Sequence, residues 1–145
     1  MSKISVLMSV YKKENPEYLR ASLESILVQT RTADEILLIE DGPLTQELYQ
    51  VVAEYQKKCD YLHVHAMEQN VQLGRALAKG VELCQYDLIA RMDTDDIAMP
   101  DRLEKEGAYM EAHPEVDVVG GAIREFNDEG TIDRVKNCLL YTSPS

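Results

Sequence analysis

Asp93, Asp95 and Asp96 put three carboxylates within four residues, in the run Arg91-Met92-Asp93-Thr94-Asp95-Asp96-Ile97 that follows the apolar Leu88-Ile89-Ala90. Two carboxylates held at ~4 Å repel by roughly 1 kcal/mol in water and about 4 kcal/mol at an effective dielectric near 20. A cluster that is repulsive when empty becomes favourable when it holds a cation. Residues two apart in extended chain share a side, so Asp93 and Asp95 point the same way. Hard carboxylate oxygens so arranged suit Mg2+ or Mn2+, and Mg2+ typically combines one or two carboxylates with the phosphates of a substrate. The competing reading is helix capping, for which Asp is well suited. Pro100 as the first residue of the next helix puts Met99 at the cap and leaves Asp101 to serve the helix dipole. The three acids then lie too early in the chain to cap it. Arg91 is read first as the neutraliser of Asp93, with contact to a phosphate as the sharper alternative.

Other polar residues collect at comparable places. One apolar run ends in Ser9-Val10-Tyr11 and another in Glu40-Asp41-Gly42-Pro43. Asn70-Val71-Gln72-Leu73-Gly74-Arg75 leads into a helical pattern. There Gly74 permits close backbone approach, and Arg75 is able to meet a diphosphate. Tyr11 offers a ring to a nucleobase, or else closes the edge of the core. His63, His65 and His113 are expected to be structural, and no His pairs with a Ser or Cys at a spacing that supports nucleophilic catalysis. The turn after the first strand, Tyr11-Lys12-Lys13-Glu14-Asn15, lacks the glycines of a dinucleotide-binding loop, and no GxxxxGK[ST] exists. An aspartate-nucleophile phosphatase or a phosphate-receiver domain would carry its acids after the first strand, not the fourth.

Strands and helices must position these residues. Ile4–Val10 and residues 35–39 are short, β-branched and nearly continuous in apolar character. Residues 61–67, 87–92 and 116–123 complete five predicted strands. Asn15-Pro16 predicts an N-cap and first helical turn, with Leu19, Leu23, Ile26 and Leu27 at helical spacing up to about Gln29. Leu48, Val51, Val52 and Tyr55 mark a second helix. Leu73, Leu77, Val81 and Leu83 mark a third, and residues 100–113 a fourth. Strands apolar on both faces that alternate with helices predict an α/β fold, a doubly wound and mostly parallel sheet. In such sheets ligands bind outside the carboxyl ends of the strands. Ser9, Tyr11, Asp41 and the three acids all fall there.

The 145 residues suffice for one domain with a real core. A formal charge of -11 argues against a sequence-independent grip on nucleic acid or anionic lipid, yet leaves room for one phosphorylated ligand beside a metal ion. Cys59, Cys84 and Cys138 are odd in number and form no CxxC, which predicts free thiols and a cytoplasmic protein. No apolar run is long enough to span a membrane. Residues 137–145 suggest no element and are read as an irregular tail, either disordered or foreign to the natural protein, behind a domain of residues 1–136.

Taken together, "ISVLMSVYKKE", "QTRTADEILLIEDGP", "NVQLGRALAKG" and "LIARMDTDDIAMPDRLEKE" resemble the family 2 glycosyltransferases of GT-A fold, those of bacterial exopolysaccharide and amylovoran biosynthesis above all. The resemblance covers roughly residues 3–130. It implies transfer of a sugar, with inversion, from a nucleotide donor such as a UDP-sugar to a saccharide or lipid-linked acceptor. It also implies Mg2+ or Mn2+ as cofactor and, for a longer parent, a peripheral place at the inner face of the membrane. Matched position by position, Ser9 and Tyr11 line the nucleotide pocket, and Asp41 bonds the base. Asp95 holds the metal, Asp93 faces the ribose or the metal's water shell, and Arg75 borders the donor. Glu40 stands where the family commonly has Asp, and Gln72 where many members have Gly. The family's catalytic base lies well beyond the DxD, and none of Glu125, Asp128, Glu129 or Asp133 is assigned that role. The chain is therefore expected to be the donor-binding part of such an enzyme. The alternative is a nucleotide-sugar binder without turnover. A nucleotidyltransferase is disfavoured by the missing glycine-rich basic loop.

Overall fold

Ile4–Val10 (β1) and Glu35–Glu40 (β2) are buried along almost their whole length, as continuous apolar runs require of strands covered on both faces. This computed structural model describes residues 2–120, 123–127, 130–136 and 140–142, and the chain divides into two units, Met1–Leu103 and Glu104–Ser145. In the first unit the order is β1, α1 (Pro16–Leu27), β2, α2 (Gln46–Lys58), β3 (Leu62–Ala66), α3 (Leu73–Leu83) and β4 (Leu88–Arg91). The four strands form one parallel sheet in the order β3-β2-β1-β4. Successive strands run from β1 to β3 on one side, and β4 then adds on the other side of β1. The switch point of this doubly wound sheet lies between the carboxyl ends of β1 and β4.

Strand parity divides the core. Ile4, Val6, Met8 and Val10 of β1, with Ile36 and Leu38 of β2, pack in one cluster with Leu19, Leu23 and Ile26 of α1 and Leu48, Val51 and Val52 of α2. Each such side chain, when fully buried, contributes about 1.5–3 kcal/mol. Leu7, Leu37 and Ile39 point the other way and meet Ala76 of α3. The close approach of α3 to β1 depends on Gly80, where an added Cβ would lie 2.3 Å from Leu7 Cδ1.

Local signals explain most boundaries. The side chain of Asn15 accepts the Glu17 amide at 2.8 Å, and Pro16 opens α1. The predicted start of the fourth helix is corrected. α4 spans Arg102–Ala112, so Pro100 is not its first residue and Met99 is not its cap. Tertiary contacts override the local signal here, because the Met99 carbonyl accepts the side-chain amide of Gln29 at 2.7 Å and the Pro100 carbonyl accepts the Thr30 amide at 2.8 Å.

After α4 the predicted alternation ends. β5 (Val116–Val119) pairs antiparallel with β8 (Leu140–Thr142), and β6 (Ile123–Asn127) pairs antiparallel with β7 (Gly130–Lys136). The expected strand over residues 116–123 is thus two strands, neither in the parallel sheet. In Val116-Asp117-Val118-Val119, Val116 is buried while Asp117 and Val118 are exposed, so β5 is not covered on both faces as β1 and β2 are. Residues 140–142, within the stretch that suggested no element, form a strand. Cys59 and Cys84 are free, and Cys138 lies outside the described residues. No described helix is long and apolar enough to cross a membrane.

Candidate functional site

β1 and β4 run side by side in parallel with Leu7 opposite Arg91, and the pairing continues through the Met92 amide, which donates to the Leu7 carbonyl at 3.0 Å. Two residues further on, the same register sets Asp93 beside Ser9. The chain then leaves the sheet at the switch point. Thr94 turns inward, buried, and its hydroxyl lies against the Ser9 carbonyl at 3.4 Å and the Glu14 carboxylate. With Thr94 facing in, Asp93 and Asp95 face out, as alternation predicted. Asp93, Asp95 and Asp96 each offer a carboxylate oxygen, all within 4.8 Å of one another. Such a hard, all-oxygen donor set fits a divalent cation.

Electrostatics agree with the geometry. Partial desolvation, then the charges of Asp95 and Asp93, raise the Asp96 carboxyl above its usual range. Arg91 Nη2 meets Asp93 Oδ1 at 2.9 Å, which bears out the neutralising role. The pair is solvent-exposed and contributes at most about 1 kcal/mol.

Asp41, at the carboxyl end of β2, is only 4% exposed. Its Oδ1 accepts the Val71 amide at 2.7 Å, and its carbonyl accepts Asn70 Nδ2 at 3.3 Å. Gly42, at φ +87°, brings the chain so close that an added Cβ would lie 2.6 Å from the Asn70 nitrogen. Asp41 and Gly42 thus bind the loop before α3 to the end of β2. In that loop Gln72 adopts φ 72° and ψ 161°, a region that is essentially reserved for glycine. Beyond its chain neighbours and its own helix backbone, Gly74 has no atom of the described residues within 4 Å of where a Cβ would stand, so its face is open.

The predicted site residues are not all brought together. Asp93 and Asp95 stand with Asp96 at the switch point, where the Thr94 hydroxyl lies against the Ser9 carbonyl, and Tyr11 stands exposed two residues beyond Ser9. Arg75 is exposed, has no ion pair among the described residues, and lines an open groove of about 350 Å³ with Met67, Val71, Ala78, Lys79 and Glu82. None of the three acids lines that groove. Sequence reasoning missed Thr94 and Glu14 beneath the acids, and the buried Ser22, Ser25 and Gln29 that reach their loop from α1. The available signal was polar residues on the apolar face of a predicted helix.

The sequence profile described as Glycosyl transferase family 2 matches residues 5–143. The amylovoran biosynthesis glycosyltransferase AmsE of Erwinia amylovora is 47% identical over 136 residues, 94% of this chain and 50% of the relative. An Escherichia coli UDP-Gal:alpha-D-GlcNAc-diphosphoundecaprenol beta-1,3-galactosyltransferase is 35% identical over 149 residues, 97% of this chain and 53% of the relative. The chain thus spans about half the length of these curated relatives. The crystal structure of S. aureus TarS 1-349 in complex with UDP-GlcNAc superimposes with a TM-score of 0.74 at 21% identity, over 91% of this chain and 37% of that one, and shares its fold. With the parallel sheet, the acids at its switch point and these matches in agreement, the chain belongs to glycosyl transferase family 2.

Proposed function

We propose that the chain carries the donor-binding part of a metal-dependent, inverting glycosyltransferase, over residues 1–136. It would serve transfer of a sugar from a UDP-sugar to a growing polysaccharide or lipid-linked acceptor in the cytoplasm. The single observation that carries this reading is the convergence of the Asp93, Asp95 and Asp96 carboxylates at the β1–β4 switch point. The names of the relatives support the UDP-sugar and the lipid-linked acceptor.

Asp95, with Asp93, would hold Mg2+ or Mn2+. The cation supplies Lewis-acid neutralisation of the diphosphate leaving group. Ser9 and Tyr11 line the nucleotide side, with the Tyr11 ring free to stack on the base. Asp41 has one carboxylate oxygen fixed by the Val71 amide. Its other oxygen has no hydrogen-bond partner among the described residues and is suited to accept the N–H of a uracil ring. Arg75, with no ion pair among the described residues, borders the donor. No described residue is assigned the role of the base that deprotonates the acceptor.

Calorimetric titration of UDP into the chain, with and without Mn2+, tests this reading beside Asp95→Ala. Binding should strengthen with Mn2+ in the wild type and lose that dependence in the variant. Equal binding with and without metal would refute the metal-dependent part.

A further inference from the structure

A row of buried polar side chains joins α1 to residues 93–103. Ser22 and Ser25, in the last two turns of α1, and Gln29, just past its end, are at most 8% exposed. Ser22 Oγ donates to the Asp93 carbonyl at 3.2 Å. Ser25 Oγ accepts the Ala98 amide at 3.0 Å and donates to the Ser22 carbonyl at 2.7 Å. Gln29 uses both ends of its amide: Nε2 donates to the Met99 carbonyl at 2.7 Å and the Ser25 carbonyl at 3.0 Å, and Oε1 accepts the Leu103 amide at 3.0 Å.

Between Asp95 and Asp101 the segment buries only the small side chain of Ala98, with Ile97 and Met99 53% and 70% exposed, while the large buried side chains Met92 and Leu103 lie at its two ends. Its own secondary structure amounts to local turns, with the Asp96 amide on the Asp93 carbonyl and the Arg102 amide on that of Met99. Its course is therefore set where it is tied: at Asp93 by Ser22, at Thr94 by Ser9 and Glu14, at Pro100 by the Thr30 amide, and between Ala98 and Leu103 chiefly by Ser25 and Gln29. A cost of about 1–3 kcal/mol for each unpaired buried polar group enforces these ties from both sides.

We propose that Gln29 is a positioning residue for the acids: with Ser22 and Ser25 it fixes the backbone on both sides of Asp95 and Asp96, so that their carboxylates stand ready for a divalent cation. This inference rests on the metal-dependent reading above. Metal ligation tolerates only small displacements of its oxygens, and partners behind the ligands typically govern affinity about 10- to 100-fold.

The test compares wild type, Gln29→Met and Ser25→Ala in three measurements: Mn2+ affinity with UDP present by Mn2+ paramagnetic resonance, UDP affinity without metal, and amide hydrogen exchange. Gln29→Met keeps the bulk and removes all three hydrogen bonds. It should weaken Mn2+ by about tenfold or more, leave metal-free UDP binding within about twofold, and speed exchange over residues 95–103 by about tenfold while β1 and β2 keep their protection. Ser25→Ala should move the same readouts in the same direction by less, and it decides the matter if Gln29→Met does not fold. Unchanged Mn2+ affinity in a variant whose unfolding midpoint drops would reduce the row to a stability role and overturn the proposal. Wild type that binds no Mn2+ refutes the metal reading, and exchange over residues 95–103 then decides separately whether Gln29 fixes the loop.

Discussion

On one face of the parallel sheet, α1 and α2 close over Ile4, Val6, Met8, Val10, Ile36 and Leu38 in a single long cluster. On the other face, among the described residues, Leu7, Leu37 and Ile39 are covered by α3, with Ala76 as the buried helical contact. The two faces also treat their loops differently. From the first, buried Ser22, Ser25 and Gln29 tie down the segment that carries the acids. On the second, the entrance to α3 holds a non-glycine residue at positive φ, an open face at Gly74 and an Arg75 that makes no ion pair among the described residues. The contrast teaches a division of labour. In the proposed function, the thick face would hold in place the carboxylates that a cation needs, while the thin face would present groups with room to adjust to a nucleotide.

The contrast breaks most visibly if the thick face is hollowed. Leu23→Ala should cost about 2–5 kcal/mol in urea unfolding, since Leu23 is fully buried in the cluster on this face. A cost below 1 kcal/mol would mean that the two faces do not differ in rigidity. Next in size is Gly80→Ala, which drives a methyl into Leu7 and should cost about 1–3 kcal/mol, measured the same way. An unchanged midpoint would show α3 free to shift away from β1.

Gln72→Gly sharpens the comparison from the thin side. Relief of the left-handed backbone should outweigh the added freedom of the unfolded chain and stabilise the fold by about 1 kcal/mol. A loss instead would show that the Gln72 side chain holds the loop. The smallest effect belongs to Glu40, whose carboxyl is raised by desolvation at the end of β2. The ionised form is disfavoured in the folded state, so stability is highest below the unfolded carboxyl pKa and falls as pH rises toward the folded value. Glu40→Gln should therefore gain stability at neutral pH and none at low pH, seen in melting curves across pH. A gain that persists at low pH would assign the effect to packing.

The sequence predicted the parallel half well because each of its signals acts locally. Asn15-Pro16 starts a helix by itself, and an uninterrupted run such as Glu35–Glu40 has few ways to be buried other than between two layers. Ser9, Asp93 and Asp95 were legible as residues at neighbouring strand ends because strand ends in such sheets converge. What stayed hidden depends on partners distant in sequence. Pro100 begins a helix only if nothing else claims its carbonyl, and Thr30 does. Glu35 is a strand residue by position, yet it is buried with Ser5 Oγ at 2.8 Å and the Gln85 amide at 3.0 Å, a lock on the α3–β4 turn that no spacing announces. The antiparallel pairing of β5 with β8 joins residues too far apart for periodicity to link.

The most direct test of the central claim is a crystal of the chain grown with UDP and Mn2+, with the ion located by its anomalous scattering. The account predicts one Mn2+ at the β1–β4 switch point, ligated by Asp95 and within reach of Asp93, with the uridine toward Tyr11 and Asp41. A nucleotide bound with its metal held away from these acids, in the groove between Met67 and Arg75 for example, would contradict it.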